Sequence, residues 1–244
     1  MASDTEKGER VAKAMARAGL CSRREAERWI AEGRVSLDGA VLTSPAVLVT
    51  GASDLRVDGK PIPTREPPRL WRYHKPDGLV TTHRDEKGRP TVFERLPPEL
   101  PRVISVGRLD LTSEGLLLLT NDGELARSLE LPARGWLRRY RVRVHGLVDP
   151  SLLAALARGV TVDGVAYGAI RAALDRQQGS NAWLTLSLQE GKNREVRRVL
   201  EHLGYRVTRL IRVAYGPFQL GHLPRGAIEE VPQKVLREQL GGIR

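Results

Sequence analysis

The chain has 244 residues, which is enough for one large domain or two smaller ones with buried cores. Its 40 Lys and Arg residues against 29 Asp and Glu give a formal net charge of +11, which indicates nucleic acid as a partner. The single cysteine, Cys21, excludes an internal disulfide and argues against a cysteine-based metal site. A polar N-terminus and the lack of an apolar run near the roughly 20 residues that cross a bilayer predict a cytoplasmic protein without membrane association.

Residues 8–62 are predicted to form a small module of two helices followed by short strands. Apolar residues at helical spacing begin at Val11, and Gly19 ends this first helix. Ser22 and Glu25 have the spacing of a capping box, so a second helix starts there and runs to Gly33. The predicted strands are residues 35–37, 41–42 and 55–57.

A proline-rich segment, residues 63–69, is predicted to link this module to a larger one at residues 70–240. Repeated prolines hold the backbone extended and oppose regular structure. Residues 1–68 carry 11 basic and 10 acidic side chains, whereas the rest of the chain carries 29 and 19. Most of the positive charge therefore belongs to the larger module.

The larger module alternates short β-rich runs with a few helical segments. This pattern predicts an α+β domain with a mixed, mostly antiparallel sheet. The predicted strands are residues 70–74, 103–106, 116–120, 140–145, 169–174, 183–188 and 206–213. The predicted helices are residues 124–129, 151–157 and 195–203.

The segment Val106-Gly107-Arg108-Leu109-Asp110 contains the sharpest candidate for chemistry. Asp110 lies between an arginine and a glycine-containing turn that leads into the apolar run 116–119. Such a placement presents a single carboxylate at the mouth of a cleft. A turn aspartate that caps backbone amides is the common alternative.

Two further segments combine positive charge with features that suit RNA. Tyr140 lies in residues 134–143, which contain five arginines and no acid, and a tyrosine there could stack on a base or simply be part of the core. Residues 190–198 run from a strand through a glycine into a basic helix start, which suits an anion but also an ordinary solvated helix. The sequence has no metal, Walker or dinucleotide motif, so we expect neither metal nor cofactor.

The segments RAGLCSRREAERWIAEGRVSLDG and RVDGKPI resemble the alpha-L, or S4-like, RNA-binding domain. The resemblance implies that the helix pair contacts structured RNA. Arginines that merely solvate a helix face are the alternative. The candidate RNA-binding residues in this module are Arg17, Arg23, Arg24 and Arg28.

The motifs YHKPDGLVTT, VGRLDLTSEGLLLLTNDGELA, EGKNREVRRVLEHLG and VTRLIRVAYGPFQLGHLPRG resemble the bacterial rRNA pseudouridine synthases of the RsuA and RluB type. GRPTVFERLP and NREVRR favour the large-subunit branch. The resemblance implies that Asp110 is catalytic, that Arg108 takes the place of a flipped uridine and that Tyr140 stacks on the base. It also implies that Arg197 pairs with the aspartate. Further RNA-binding candidates are Arg138, Arg139, Lys192, Arg194 and Arg198, with Arg139 standing where relatives often have glutamate.

The resemblance therefore implies an enzyme that isomerises uridine to pseudouridine in rRNA without a cofactor, and the large-subunit motifs favour 23S rRNA as its substrate. Its partner would be rRNA or a partly assembled ribosomal subunit. Because nothing in the sequence suggests a coiled coil, we expect a monomer. Two alternatives are a synthase for 16S rRNA and a non-catalytic RNA-binding assembly factor. A nuclease would need paired carboxylates or a histidine pair near the cleft, and the sequence offers neither convincingly.

Overall fold

The computed structural model describes residues 8–240, which divide into two compact units. The first contains residues 8–68 together with Glu99–Ile104 and Asn121–Gly123. The second contains Arg69–Pro98, Ser105–Thr120 and residues 124–240. Among the residues described, no helix is both long and apolar enough to cross a membrane.

The first unit packs two helices against short strands. Its elements are β1 (Glu9–Arg10), α1 (Val11–Arg17), α2 (Arg23–Ala31), β2 (Val35–Leu37), β3 (Ala40–Val41), β4 (Leu48–Val49), β5 (Leu55–Val57) and β6 (Lys60–Pro61). The predicted capping box is confirmed, since the Glu25 amide donates to the Ser22 hydroxyl at 3.1 Å and the Ser22 amide donates to the Glu25 carboxylate at 3.4 Å. The core is centred on the buried side chains of Met15, Ile30 and Val35.

The second unit is an α+β domain built on one large sheet. Its strands are β7 (Leu70–Lys75), β8 (Ile104–Val106), β9 (Glu114–Thr120), β10 (Arg138–His145), β11 (Val160–Val162), β12 (Val165–Tyr167), β13 (Ile170–Gln178), β14 (Asn181–Leu188), β15 (Arg206–Tyr215), β16 (Phe218–Gln219) and β17 (Ile228–Glu230). Its helices are α3 (Gly123–Glu130), α4 (Pro150–Ala155), α5 (Glu195–His202) and α6 (Gln233–Leu240), with single 3-10 turns at Phe93–Arg95, Pro132–Arg134 and Leu156–Arg158.

The main path of the sheet runs β13-β14-β10-β15-β9-β7-β17, with β16 beside β15 and β8 beside β9. The strand pairs β13–β14, β14–β10, β10–β15, β15–β16, β9–β7 and β7–β17 are antiparallel. The pair of β15 and β9 is parallel and two residues long, matching Ile211 with Glu114 and Arg212 with Gly115. Every residue of β9 is buried, as expected of a central strand covered on both faces. The mixed, mostly antiparallel α+β fold predicted from the sequence is confirmed.

At Gly115 the backbone of β9 closely approaches that of β15. The Gly115 φ of +101° is strained for any residue with a side chain. A Cβ atom built there would lie 2.8 Å from the Arg212 amide nitrogen and closer still to the Arg212 carbonyl oxygen. Only glycine therefore fits this contact, which joins the two halves of the sheet.

Most predicted elements of the larger module are present, with shifted ends. Strand β13 continues to Gln178 where the prediction stops at residue 174, and the 151–157 helix changes to a 3-10 turn after Ala155. The hairpin of β11 and β12 and helix α6 were not predicted. Lys60–Pro61, just before the predicted linker, pair with β5 as an edge strand, where the missing amide of a proline is tolerated.

Candidate active site

Residues from neighbouring segments hold the loop that carries Asp110 through hydrogen bonds to the backbone of the loop. The Gly107 amide donates to the Glu130 carboxylate at 2.6 Å, and the Gly78 amide donates to the Leu111 carbonyl at 2.8 Å. The Thr81 hydroxyl donates to the Leu109 carbonyl at 2.8 Å. These contacts fix the loop before β9 while leaving the Asp110 side chain half-buried at a cleft.

Lys75, at the end of β7, also forms hydrogen bonds to the backbone of this loop. The residue is 0% exposed, and its ammonium donates to the carbonyls of Pro76 at 2.9 Å, Asp110 at 3.2 Å and Ser113 at 2.9 Å. Burial lowers the pKa of Lys75 to about 8, although the negative charges of Asp110 and Glu114 oppose this shift. The sequence prediction missed this residue. The sequence does contain a signal for it: Lys75 continues the alternation of Trp71 and Tyr73, whose side chains are buried.

Tyr140 lies on the wall of the same cleft. It is 9% exposed and belongs to the buried face of β10, where its register partners are Leu186 on β14 and Arg212 on β15. Arg212 is also buried, and its Nε donates to the Leu116 carbonyl at 2.8 Å. The sheet therefore places Tyr140 beside Arg212, a residue that the sequence prediction did not single out.

Arg197 lies on α5 beneath the Asp110 loop. Its guanidinium donates to the carbonyls of Thr112 at 2.9 Å and Val207 at 3.4 Å. Burial lowers the pKa of Arg197, and the neighbouring positive charge of Arg194 lowers it further, whereas the negative charge of Asp110 acts in the opposite direction. Within residues 8–240 no ion pair within 4.0 Å joins Arg197 to Asp110, so the direct pair that the resemblance implies is not formed in this structure.

The cleft has a volume of about 970 Å³ and lies wholly in the second unit. Its walls carry eight basic and five acidic side chains, which gives them a positive excess. Arg108 is exposed at its edge, and its side chain has no hydrogen bond or ion pair to any residue that the structure describes. A free guanidinium beside a carboxylate in a basic cleft suits a nucleic-acid substrate.

The N-terminal end of α5 forms the opposite wall of the cleft. Arg194 holds a left-handed backbone there, with φ of +50°, and its side chain is exposed. Lys192 donates to the Ala166 carbonyl at 2.6 Å and pairs with Glu190 at 2.9 Å. Glu195 is buried, and burial raises its pKa even though its carboxylate accepts from the Lys192 amide.

The predicted RNA-binding residues do not all lie at the cleft. Arg138 lines it, but its guanidinium contacts Tyr215 and the backbone carbonyls of Trp136 and Gln189. Arg139 and Arg198 are exposed and lie outside the cleft lining.

In the first unit, Arg23 and Arg24 are exposed on α2. Arg17 pairs with Glu9. Arg28 lies 3.7 Å from Glu25 and 3.5 Å from Glu32. Arg23 and Arg24 are therefore less neutralised by neighbouring acids than Arg17 and Arg28.

No group of three or more histidine, cysteine, aspartate or glutamate side chains in the described part of the chain could hold a metal ion. The arrangement instead offers the half-buried carboxylate of Asp110, the aromatic ring of Tyr140 and several guanidinium groups. Together these can bind a nucleotide and act on it with an acid–base or nucleophilic carboxylate.

Comparison with known proteins agrees with this geometry. The family model described as RNA pseudouridylate synthase matches residues 69–202, and that of the S4 domain matches residues 9–55. An uncharacterized RNA pseudouridine synthase of Rickettsia felis is 48% identical over 230 residues, covering 94% of this chain and 100% of the relative. The ribosomal large subunit pseudouridine synthase B of Salmonella typhimurium is 47% identical over 232 residues, covering 91% of this chain and 79% of the relative.

A crystal structure of a pseudouridylate synthase is also similar, with a TM-score of 0.65 and 26% identity over 95% of this chain and 99% of that one. The fold is thus that of an RNA-modifying enzyme. The chain belongs to the RNA pseudouridine synthase family, and its S4 domain precedes the synthase domain.

Proposed function

We propose that the protein converts one uridine of 23S rRNA to pseudouridine in the cytoplasm, with Asp110 as the catalytic carboxylate. The observation that carries this proposal is the placement of Asp110 in a backbone-clamped loop at a basic cleft, with Tyr140 on the cleft wall. The similarity to a large-subunit synthase supports the choice of 23S rRNA.

The reaction is an isomerisation and needs no external reactant. The bond between C1′ and N1 of uridine breaks, the uracil turns, a bond forms between C1′ and C5, and the proton on C5 is lost while N1 gains one. Asp110 acts on the sugar or the base during these steps, and the loop contacts of Lys75 and Thr81 hold its backbone in place.

The target base must leave its stack to reach Asp110, because a stacked base cannot be attacked within a helix. Flipping costs a few kcal/mol, and stacking on Tyr140 offsets part of this cost. Arg108, which is unpaired at the edge of the cleft, occupies the space that the flipped base leaves. Arg194 and Lys192 contact the flanking phosphates.

The proposal is tested by mapping pseudouridine in 23S and 16S rRNA after incubation with wild-type protein and with Asp110→Asn. Carbodiimide labelling followed by primer extension locates each new pseudouridine. We expect one new site in 23S rRNA with the wild type and at least about a hundredfold lower rate with Asp110→Asn. Binding to 23S rRNA should stay within about threefold in the variant, since one isosteric amide changes few phosphate contacts.

Two other results would refute part of the proposal. A new pseudouridine in 16S rRNA alone would refute the 23S assignment and retain the enzyme. RNA binding by both proteins without modification of naked rRNA or pre-subunit particles would refute catalysis and favour an assembly factor.

A further inference from the structure

Strands β13, β14, β10 and β15 form one half of the sheet. One face of this half is packed, and the other face is open. Helices α4 and α5 cover the packed face, where Tyr140, Val142 and Val144 of β10 are buried. The residues between them point the other way, because side chains alternate along a strand. In β10 these are arginines, and all of them are exposed.

Neighbouring strands extend these arginines into a two-dimensional pattern. Arg139 of β10 and Arg171 of β13 flank Ser187 of β14 in the strand register. Arg143 and Arg176 flank Trp183 of β14 in the same way. We define the open face by Arg139, Arg141, Arg143, Arg171, Arg176, Arg206 and Trp183. Its charges repeat at about 7 Å along a strand and about 10 Å between alternate strands.

The positive charge of the open face is largely unneutralised. The one ion pair that the described residues form there is weak, because the Asp175 carboxylate lies 4.0 Å from the Arg141 guanidinium. Within residues 8–240 the other five arginine side chains have no hydrogen bond or ion pair. Like charges at this spacing repel one another, and a partner with regularly spaced negative charges removes that repulsion.

An aromatic ring lies at the centre of this charge. Trp183 is partly exposed, and the Arg141 guanidinium lies 4.9 Å from its ring centroid. Arginines around an aromatic platform are the composition of RNA-binding sheets, where phosphates meet the cations and a base meets the ring. A protein-binding surface would instead have a desolvated apolar centre with few charges.

The open face is separate from the cleft. None of its six arginines lines the cleft, and Tyr140 points to the opposite side of the strand from Arg139 and Arg141. We propose that the open face binds the phosphate backbone of a second RNA segment while the target uridine occupies the cleft. This inference rests on the proposed function for the identity of the RNA, and it adds a second contact surface to that function.

The test compares wild-type protein with an Arg143→Gln, Arg171→Gln and Arg176→Gln triple variant. A matched control replaces three exposed arginines elsewhere that have no side-chain ion pair in the described chain, Arg127→Gln, Arg158→Gln and Arg237→Gln. The probe is a fluorescein-labelled RNA duplex of about 30 base pairs, long enough to cross the face at about 3 Å per pair, with anisotropy measured from 50 to 300 mM KCl.

We expect the open-face variant to bind the duplex about tenfold more weakly at 100 mM KCl. Its plot of log K against log[KCl] should lose about two to three units of slope, at about 0.9 per phosphate contact removed. The control variant should stay within about twofold of wild type. With 23S rRNA as substrate, the open-face variant should show a raised KM and an unchanged kcat, which also reports that it is folded.

Unchanged affinity and slope in the open-face variant would overturn the inference. So would a wild-type dimer that becomes monomeric in the variant while RNA binding stays the same, because the face would then bind protein. If wild type modifies no RNA but the variant still loses affinity and slope, the proposed function fails and the open face stands as an RNA surface. Unchanged binding by the variant beside active wild type leaves the enzyme and removes only this inference.

Discussion

Lys75 carries an ammonium group at a fully buried position, where burial disfavours its charged form. The ammonium nevertheless donates to three carbonyls that need a donor. An apolar residue at this position would leave the carbonyls of Asp110 and Ser113 without this hydrogen-bond donor. Burial of the ammonium therefore costs stability, while its hydrogen bonds hold the loop that carries Asp110.

This conflict predicts a pH-dependent stability that is specific to Lys75. Its pKa is about 8 in the folded protein and 10.5 when exposed, so between these values the unfolded chain binds more protons. The free energy of unfolding should therefore rise with pH across this window, by up to about 3 kcal/mol, relative to the Lys75→Met variant.

Urea unfolding at pH 7.5, 9 and 10.5 measures the difference between wild type and Lys75→Met. Lys234→Met, which changes an exposed lysine on α6, should show a constant difference from wild type over the same range. A constant difference for Lys75→Met as well would mean that the buried lysine titrates at its ordinary pKa.

At the residue scale, the sequence predicts the motif residues better than their contacts. Asp110, Tyr140 and Arg108, which come from two of the predicted segments, all line one cleft. Arg139 lies outside it, because alternation along β10 turns neighbouring residues to opposite faces. The buried positions of Lys75 and Arg212 depend on strands that meet only in the folded sheet.

At the scale of elements, the junction between β9 and β15 decides whether the cleft exists. Two backbone pairs make the strand contact. Side chains reinforce it, since Arg209 donates to Glu114 at 2.8 and 3.0 Å and Arg212 donates to the Leu116 carbonyl. Asp110 belongs to one half of the sheet and Tyr140 to the other, so their separation is set here.

Gly115→Ala should therefore be severely destabilising. The new methyl group would overlap the backbone of Arg212 and would also require φ of +101°. We expect a loss of about 3 kcal/mol or more in the free energy of unfolding, measured by urea denaturation.

Gly204→Ala is the matched control for this effect. Gly204 also has positive φ, at +85°, but no atom lies within 4 Å of the added Cβ, so only the backbone strain of about 1–2 kcal/mol remains. Equal losses in the two variants would show that close approach at the junction contributes nothing beyond the strain.

The strands and helices themselves were largely predictable, because their alternation and capping are local. Strand order was not, since β10 pairs with β14 and β15 and leaves β11 and β12 as a separate hairpin. The parallel contact at Gly115 joins residues about a hundred positions apart and has no signal in a single sequence except a glycine ahead of an apolar run.

At the scale of the whole molecule, the two units differ in charge and contents. Residues 1–68 hold nearly equal numbers of acids and bases, and the lining of the cleft comes entirely from the second unit. We therefore expect RNA binding by the first unit to depend on a few arginines that acids do not neutralise. Arg23 and Arg24 on α2 fit this description.

An Arg23→Gln and Arg24→Gln double variant should lower affinity for 23S rRNA about fivefold or more, through loss of up to two phosphate contacts. Its kcat should not change, since no cleft residue is altered. Filter binding and single-turnover modification at saturating enzyme measure the two quantities.

A control with the same change in charge replaces Arg28 and Arg56, which already pair with Glu25, Glu32 and Asp54. This control should lose less affinity, because these guanidinium groups are shared with acids. An equal loss in both double variants would indicate that net charge alone, and not the α2 surface, determines binding.

The short junction between β9 and β15 also sets when activity can arise during synthesis. Closing a loop of about a hundred residues is entropically costly and slow, so this contact forms late in folding. A chain still on the ribosome that has been translated only through β14 already contains Asp110 and Tyr140 but lacks the strand that holds them together. A nascent or truncated chain should therefore remain inactive until β15 has emerged, which delays modification until the enzyme is nearly complete.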